Sequence, residues 1–113
     1  MTPGKVNFTC PQGSTFSRTL TYKVDNTPVD LTGYSARLQV REYHYSDDFI
    51  TSLNDSSGIT LGGSAGTINV LIAASATQEF VPGSYVYDLE LVAGGTVTRL
   101  IEGKFSVTPE VTR

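Results

Sequence analysis

The sequence predicts an all-β fold, and three observations predict it. Apolar residues recur at every second position through much of the chain, the signature of strands with one buried face. Helical periodicity is nearly absent. The last third holds two long β-type runs, residues 83–93 and 96–107, on either side of Gly94-Gly95, and glycine supplies the positive φ that a tight hairpin turn requires.

Taken in order, residues 5–9 read as a short first strand. Gly13-Ser14 opens a second run, residues 15–24, with Phe16, Leu20, Tyr22 and Val24 on one face and Ser17, Thr19, Thr21 and Lys23 on the other. Arg18 interrupts the apolar face, which places it at an open end of the sheet where its head reaches water. Residues 25–28 form a turn. Tyr34, Ala36, Leu38 and Val40 then alternate with Ser35, Arg37, Gln39 and Arg41, the clearest half-buried strand in the chain.

Residues 42–48 are a polar, aromatic-rich loop, residues 49–53 a short strand and residues 54–58 a turn. Residues 59–61 and 67–72 form a pair of strands around Gly62-Gly63-Ser64-Ala65-Gly66. Helix formers are confined to residues 73–80, enough for at most one short helical turn near Ala74 to Phe80 before Val81-Pro82-Gly83 ends it.

Two registers compete in the final hairpin. A two-residue loop places Glu90 opposite Arg99. One more loop residue places Gly103 opposite Tyr87 and matches Leu89 with Ile101 and Tyr85 with Phe105. The second is preferred, because burial fixes register more strongly than one exposed ion pair. About seven or eight short strands, with turn signals roughly every 8 to 12 residues, read as an antiparallel immunoglobulin-like β-sandwich. The Cys-Trp-Cys core of antibody domains is missing, since the chain has one Cys and no Trp.

A chain of 113 residues is one domain's worth. A domain of this size buries about two-thirds of the surface its unfolded chain exposes, so one core forms without staples. The expectation is a single domain over residues 1–113 with extended N- and C-terminal arms, residues 2–9 and 108–113, that order against a partner. Cys10 has no partner for a disulfide or a zinc site and is expected as a small strand residue. Eight Lys and Arg against eleven Asp and Glu give a net charge of −3. The cations are scattered, with no basic block to neutralise a row of phosphates, so nucleic acid is a poor partner. No apolar run approaches the ~20 residues of a membrane span, and no apolar segment follows Met1-Thr2-Pro3-Gly4-Lys5. The expectation is a soluble protein made in the cytoplasm that contacts no membrane.

Residues that carry chemistry elsewhere fit no catalytic pattern here. Gly62-Gly63-Ser64-Ala65-Gly66 matches Gly-x-Ser-x-Gly formally, but the nucleophile elbow needs a strand leading into a helix, with the histidine downstream. Here a strand follows, and His44, the one histidine, lies upstream. Asp47 and Asp48, adjacent in sequence, do not both point inward to a cation easily. Asp88 and Glu90 share one strand face, the minimum for paired-acid chemistry, yet no cleft is implied. Asn7-Phe8-Thr9 and Asn54-Asp55-Ser56 match the glycosylation pattern, which has no consequence without secretion. No catalytic, cofactor-binding or metal residue is expected. Tyr43, His44 and Tyr45, clustered on a loop, are of the residue types that anchor interfaces.

The order Gly13-Ser14-Thr15-Phe16, then Val29-Asp30-Leu31-Thr32-Gly33-Tyr34 and Arg37-Leu38-Gln39-Val40-Arg41, resembles a recurring small structural protein of tailed bacteriophages. The resemblance continues through Gly83, Tyr85, Tyr87-Asp88-Leu89-Glu90-Leu91, Arg99, Gly103 and residues 107–113. A related pattern occurs in the N-terminal β-sandwich of phage baseplate upper proteins. The similarity runs from about Gly13 to Arg113 and does not include a coiled coil or receptor-binding extension.

That resemblance implies a non-enzymatic virion protein without a cofactor, made in the bacterial host cytoplasm, acting as a tail or baseplate adaptor or assembly module. Its partners would be other virion proteins of the tail, baseplate or capsid, with a homo-oligomer in the particle as a further option. The expected contact residues are Tyr43, His44, Tyr45, Phe49, Pro109, Val111 and Arg113. Two alternatives stand beside it. One is a head decoration protein on the capsid. The other is a carbohydrate-binding or adhesin module that uses Tyr43, His44 and Tyr45 with Asp47 and Asp48.

Overall fold

The computed structural model describes residues 4–111 and is built mainly of strands. These are β1 (Gly4–Lys5), β2 (Phe8–Pro11), β3 (Phe16–Thr21), β4 (Lys23–Val24), β5 (Thr27–Pro28), β6 (Ser35–Arg41), β7 (Thr51–Asn54), β8 (Ile59–Leu61), β9 (Thr67–Ile72), β10 (Gly83–Ala93) and β11 (Thr96–Thr108). One turn of 3-10 helix (Gly63–Ala65) joins β8 to β9, and one turn of α-helix, α1 (Ala74–Thr77), follows β9, where the sequence places it.

The larger sheet runs β1-β11-β10-β6-β7, with β2 continuing along the edge of β11 that β1 begins. The smaller sheet runs β3-β9-β8, and β4 with β5 make a separate small hairpin. The expectation of a purely antiparallel fold fails at one edge, because β1 and β2 run parallel to β11. Strands so far apart in sequence are not joined by a hairpin, so no turn dictates their direction.

Both sheets turn their apolar residues onto one core. Ala36, Leu38 and Val40 of β6 and Tyr87, Leu89 and Leu91 of β10 face Ile68, Val70 and Ile72 of β9 and Ile59 of β8. Phe16 joins the layers: its ring centroid lies 5.5 Å from that of Phe8 and 5.3 Å from that of Phe105, both in the larger sheet. Offset aromatic pairs of this kind add about 0.5–1.5 kcal/mol beyond the area they bury. Arg18, which interrupts this face of β3, lays its guanidinium 4.5 Å from the centre of the Phe16 ring and donates to the Thr9 carbonyl at 3.2 Å. Its stem covers the core while its head reaches both the solvent and the edge of β2.

The run expected over residues 15–24 leaves the sheet at Tyr22, whose N–H still donates to Gly66 O at 2.8 Å in step with β9 but whose carbonyl accepts from the Val29 N–H at 2.9 Å. Asp25 and Asn26, with φ of 52° and 66°, then make a tight turn between β4 and β5. Val24, expected on the apolar face, is therefore 51% exposed on a hairpin that has left the sheet.

The β10–β11 hairpin uses both registers. Next to the Gly94-Gly95 turn, with φ of 54° and 84°, Glu90 lies opposite Arg99. Beyond it Leu89 pairs with Ile101, Tyr87 with Gly103 and Tyr85 with Phe105. Leu100 is the extra residue, a β-bulge that lets Leu100 and Ile101 both be buried although they are adjacent.

Gly103 permits the break between β1 and β2. The chain arches over it: the Val6 N–H donates to Glu102 O at 3.0 Å, and Asn7 Oδ1 accepts from the Lys104 N–H at 2.9 Å, replacing a backbone acceptor. Tyr87 Oη donates to the arched Val6 carbonyl at 2.6 Å. A Cβ on residue 103 would collide with that same carbonyl, so only glycine fits. Gly103→Ala is expected to cost about 1–3 kcal/mol by forcing the edge apart. Tyr87→Phe is expected to cost about 1–2 kcal/mol by leaving the Val6 carbonyl without its donor. Urea unfolding checks both, and a neutral Gly103→Ala would show that the arch gives way freely.

Candidate functional site

The loop between β6 and β7 is organised from within by Arg41. Its Nη1 donates to Ser46 O at 2.7 Å, its Nη2 to Gln39 Oε1 at 2.7 Å, and its Cζ lies 5.8 Å from the centre of the Phe49 ring. Ser46 closes a turn on Tyr43, with its N–H donating to Tyr43 O at 3.2 Å and its Oγ accepting from Tyr43 N at 3.0 Å. Held this way, the Tyr43 and Tyr45 rings stack with centroids 5.5 Å apart and planes 13° from parallel. Tyr45 is 85% exposed, Phe49 52% and Tyr43 50%. Glu42 beside Tyr43 pushes the phenol pKa above its ordinary value, first by a hydrogen bond to the phenol and then by its charge.

Tyr43, Tyr45 and Phe49 therefore line one open groove, together with Glu42, Ser46, Asp47, Asp48 and Ile50. Ile50 also lines a second groove, shared with Thr51, Ala76, Glu79, Phe80, Val81 and Tyr85. Tyr85 Oη donates to Val81 O at 2.6 Å, fixing that wall. Of the loop residues named from the sequence as contacts, Tyr43, Tyr45 and Phe49 are brought together in the first groove. Sequence reading missed Ile50, Val81 and Tyr85, for which the one available signal was an apolar Val81 ahead of Pro82-Gly83.

His44, expected with the two tyrosines, faces the other way. It lines a shallow cleft of about 430 Å³ on the outer face of the larger sheet, with Gln39, Arg41, Val86, Asp88, Glu90, Arg99 and Glu102. The strand register builds this face. Arg37, Glu90 and Arg99 stand in one row across β6, β10 and β11, and Gln39, Asp88 and Glu102 in the next. Asp88 directly opposite Glu102 is a like-charge pair, unfavourable alone. Arg99 offsets it from the neighbouring row, with Nε 3.3 Å from Asp88 and Nη1 3.7 Å from Glu102. Lys5 pairs with Glu102 and Arg37 with Glu90, the latter at 2.7 Å. Burial, then the charge of Glu90, raise the Asp88 pKa, and Arg99 opposes them. The Lys5 ammonium donating to Glu102 lowers the Glu102 pKa.

The remaining expected residues do not join either groove. Pro109 is exposed and Val111 is 92% exposed, while Arg113 lies outside the described residues. The C-terminal segment is held to the body of the protein through Glu110, whose N–H donates to Gln12 Oε1 at 3.1 Å, and through Gln12 N, which donates to Thr108 O at 2.9 Å. Of the arm expected over residues 2–9, residues 4–9 carry β1 and the start of β2, with Phe8 in the core beside Cys10, the small strand residue expected. Burial raises the Cys10 thiol pKa. Ser64 is exposed on the 3-10 turn between the antiparallel β8 and β9, not at a strand-to-helix elbow. Among the described residues, no group of three or more His, Cys, Asp or Glu side chains converges to hold a metal ion. None of their helices is long and apolar enough to cross a membrane. No family model matches this chain, and no curated protein matches it.

Linkage gives the two shifted carboxylates opposite signs. The stabilisation from Glu102 is complete above its unfolded pKa and is lost as pH falls through its lowered folded value. Asp88 holds its proton more tightly when folded, so its cost is fully present at neutral pH and is relieved as pH falls through the raised value. Side-chain carboxyl NMR is expected to show Asp88 titrating above the ordinary aspartate range and Glu102 below the ordinary glutamate range. Either group moving in the opposite direction would contradict this charge arrangement.

Proposed function

We propose that the protein is a non-enzymatic structural module of a bacteriophage virion, an adaptor or assembly piece of the tail or baseplate built on an immunoglobulin-like sandwich. The observation that carries this reading is the loop of Tyr43, Tyr45 and Phe49. Three aromatic rings are held in water by a hydrogen-bonded turn at the end of a β scaffold, an arrangement suited to burial against another protein. The depressions that accompany it are shallow and open. The sequence resemblance to small phage structural proteins supplies the setting.

The strand order supports the finer fold. The antiparallel series β7-β6-β10-β11 and the separate β3-β9-β8 correspond to the C′CFG and BED arrangements of immunoglobulin-like domains. Here the first strands join the edge beside the last. A glycan-binding module is the second reading, favoured by stacked tyrosines beside Asp47 and Asp48.

Gold-tagged antibody against this protein on intact virions, viewed by electron microscopy, tests the placement. Gold at the tail or its tip is the expected result. Gold over the head would make the protein a decoration protein, and bare particles would overturn the virion reading. Tyr45→Ala with Phe49→Ala is expected to reduce incorporation into particles while shifting the stability of the isolated protein by less than about 1 kcal/mol, as exposed side chains do. Glycan-array binding lost in the same variant, with incorporation unchanged, would instead favour the glycan module.

A further inference from the structure

From the two grooves that meet at Ile50, we infer a docking surface for an extended, cationic segment of a partner protein, one in which Lys or Arg alternates with apolar side chains. This deepens the assembly reading and rests on it for the partner's being another protein. The apolar floor runs from Tyr45 and Phe49 through Ile50 to Val81 and Tyr85. Its charges all have one sign: Glu42, Asp47, Asp48 and Glu79 line the grooves, and no Lys or Arg does. The Arg41 guanidinium is engaged by Ser46, Gln39 and the Phe49 ring, and Arg41 lines the outer-face cleft instead of these grooves.

That lining selects the occupant. Exposed tyrosine faces attract cations, and the surrounding carboxylates add charge-assisted hydrogen bonds to Lys or Arg. The hydrogen-bonded turn through Tyr43 and Ser46 holds the rings before binding, so little ordering entropy remains to oppose it. Thr51, in the wall of the second groove, opens β7, the outermost strand of the larger sheet. An extended segment lying there has strand-edge backbone groups within its path.

A second copy of this chain fits less well. Lys5, Arg37 and Arg99 are in ion pairs on the outer face of the larger sheet, and a net charge of −3 makes two copies repel.

The probe is a short peptide alternating Lys with Val, titrated into the isotope-labelled protein and followed by NMR, with a twin alternating Glu with Val. Expected are shifts confined to residues 42–51 and 79–85, weakening with added salt, and no binding of the glutamate twin. Tyr45→Ala and the pair Asp47→Asn with Asp48→Asn are each expected to weaken binding about tenfold. Asp88→Asn, on the other face, is expected to leave it unchanged, with melting curves checking that every variant folds. Shifts centred on Asp88 and Glu102, equal binding of both peptides, or no shifts at all would overturn the assignment. Neutral oligosaccharides moving these resonances where the cationic peptide does not would overturn it in favour of a glycan. Gold on virion tails with no peptide binding would fail the groove alone. Bare virions with peptide binding intact would fail the virion reading alone.

Discussion

The fold depends on how one hairpin reconciles two demands. The Gly94-Gly95 turn admits only a two-residue loop, which sets Glu90 against Arg99. The core demands Leu89 against Ile101, and the N-terminal edge demands Gly103 against Tyr87. The Leu100 bulge satisfies all of them by absorbing one residue between the turn and the core. β10 is also the strand on which β6 pairs, and β6 carries β7 and the loop between them. The placement of Tyr43, Tyr45 and Phe49 thus follows from the unbroken register of β6 on β10, the strand that the turn and the core both constrain.

The two faces of the larger sheet do different work. The inner face holds the fold through Leu38, Val40, Leu89, Leu91 and Phe105 against the smaller sheet. The outer face carries Arg37, Asp88, Glu90, Arg99 and Glu102 in ion pairs that solvent screens. Exposed pairs of this kind contribute roughly 0–1 kcal/mol each. Their larger effect is on order: Asp88 opposite Glu102 is tolerable in this register because Arg99 sits one row away, and a slipped register would separate them.

Much of this was legible in the sequence where the signal was local. The alternation from Ser35 to Arg41 marks both the strand and its buried face, and the aromatic-rich loop stands out after it. Neither register of the hairpin was wrong, because each was read from one end of a strand pair that changes register midway. Residues 5–9 read as a strand, but the parallel pairing of β1 and β2 with β11 was not legible, since no turn joins them and the polar side chains of residues 2–9 suggest a free arm. His44 was grouped with its neighbours by sequence, yet the turn closed by Ser46 on Tyr43 stacks Tyr43 on Tyr45 and leaves His44 at the cleft on the outer face of the larger sheet. Ile50, Val81 and Tyr85 come together only through the packing of segments some thirty residues apart, which no local pattern encodes.

The parallel edge has a mechanical meaning. Gly4 enters beside Ile101, and the chain leaves beyond Thr108, past the far end of β2. Tension applied across the described chain, at its first strand and its last, pulls these two strands along their length in opposite directions. The hydrogen bonds of β1, β2 and the arch at Val6 then carry the load together, as a clamp in shear, and do not open one at a time like a zipper. A module placed in series between other subunits would resist stretching through this seam, whose strength is concentrated where Val6 crosses Gly103.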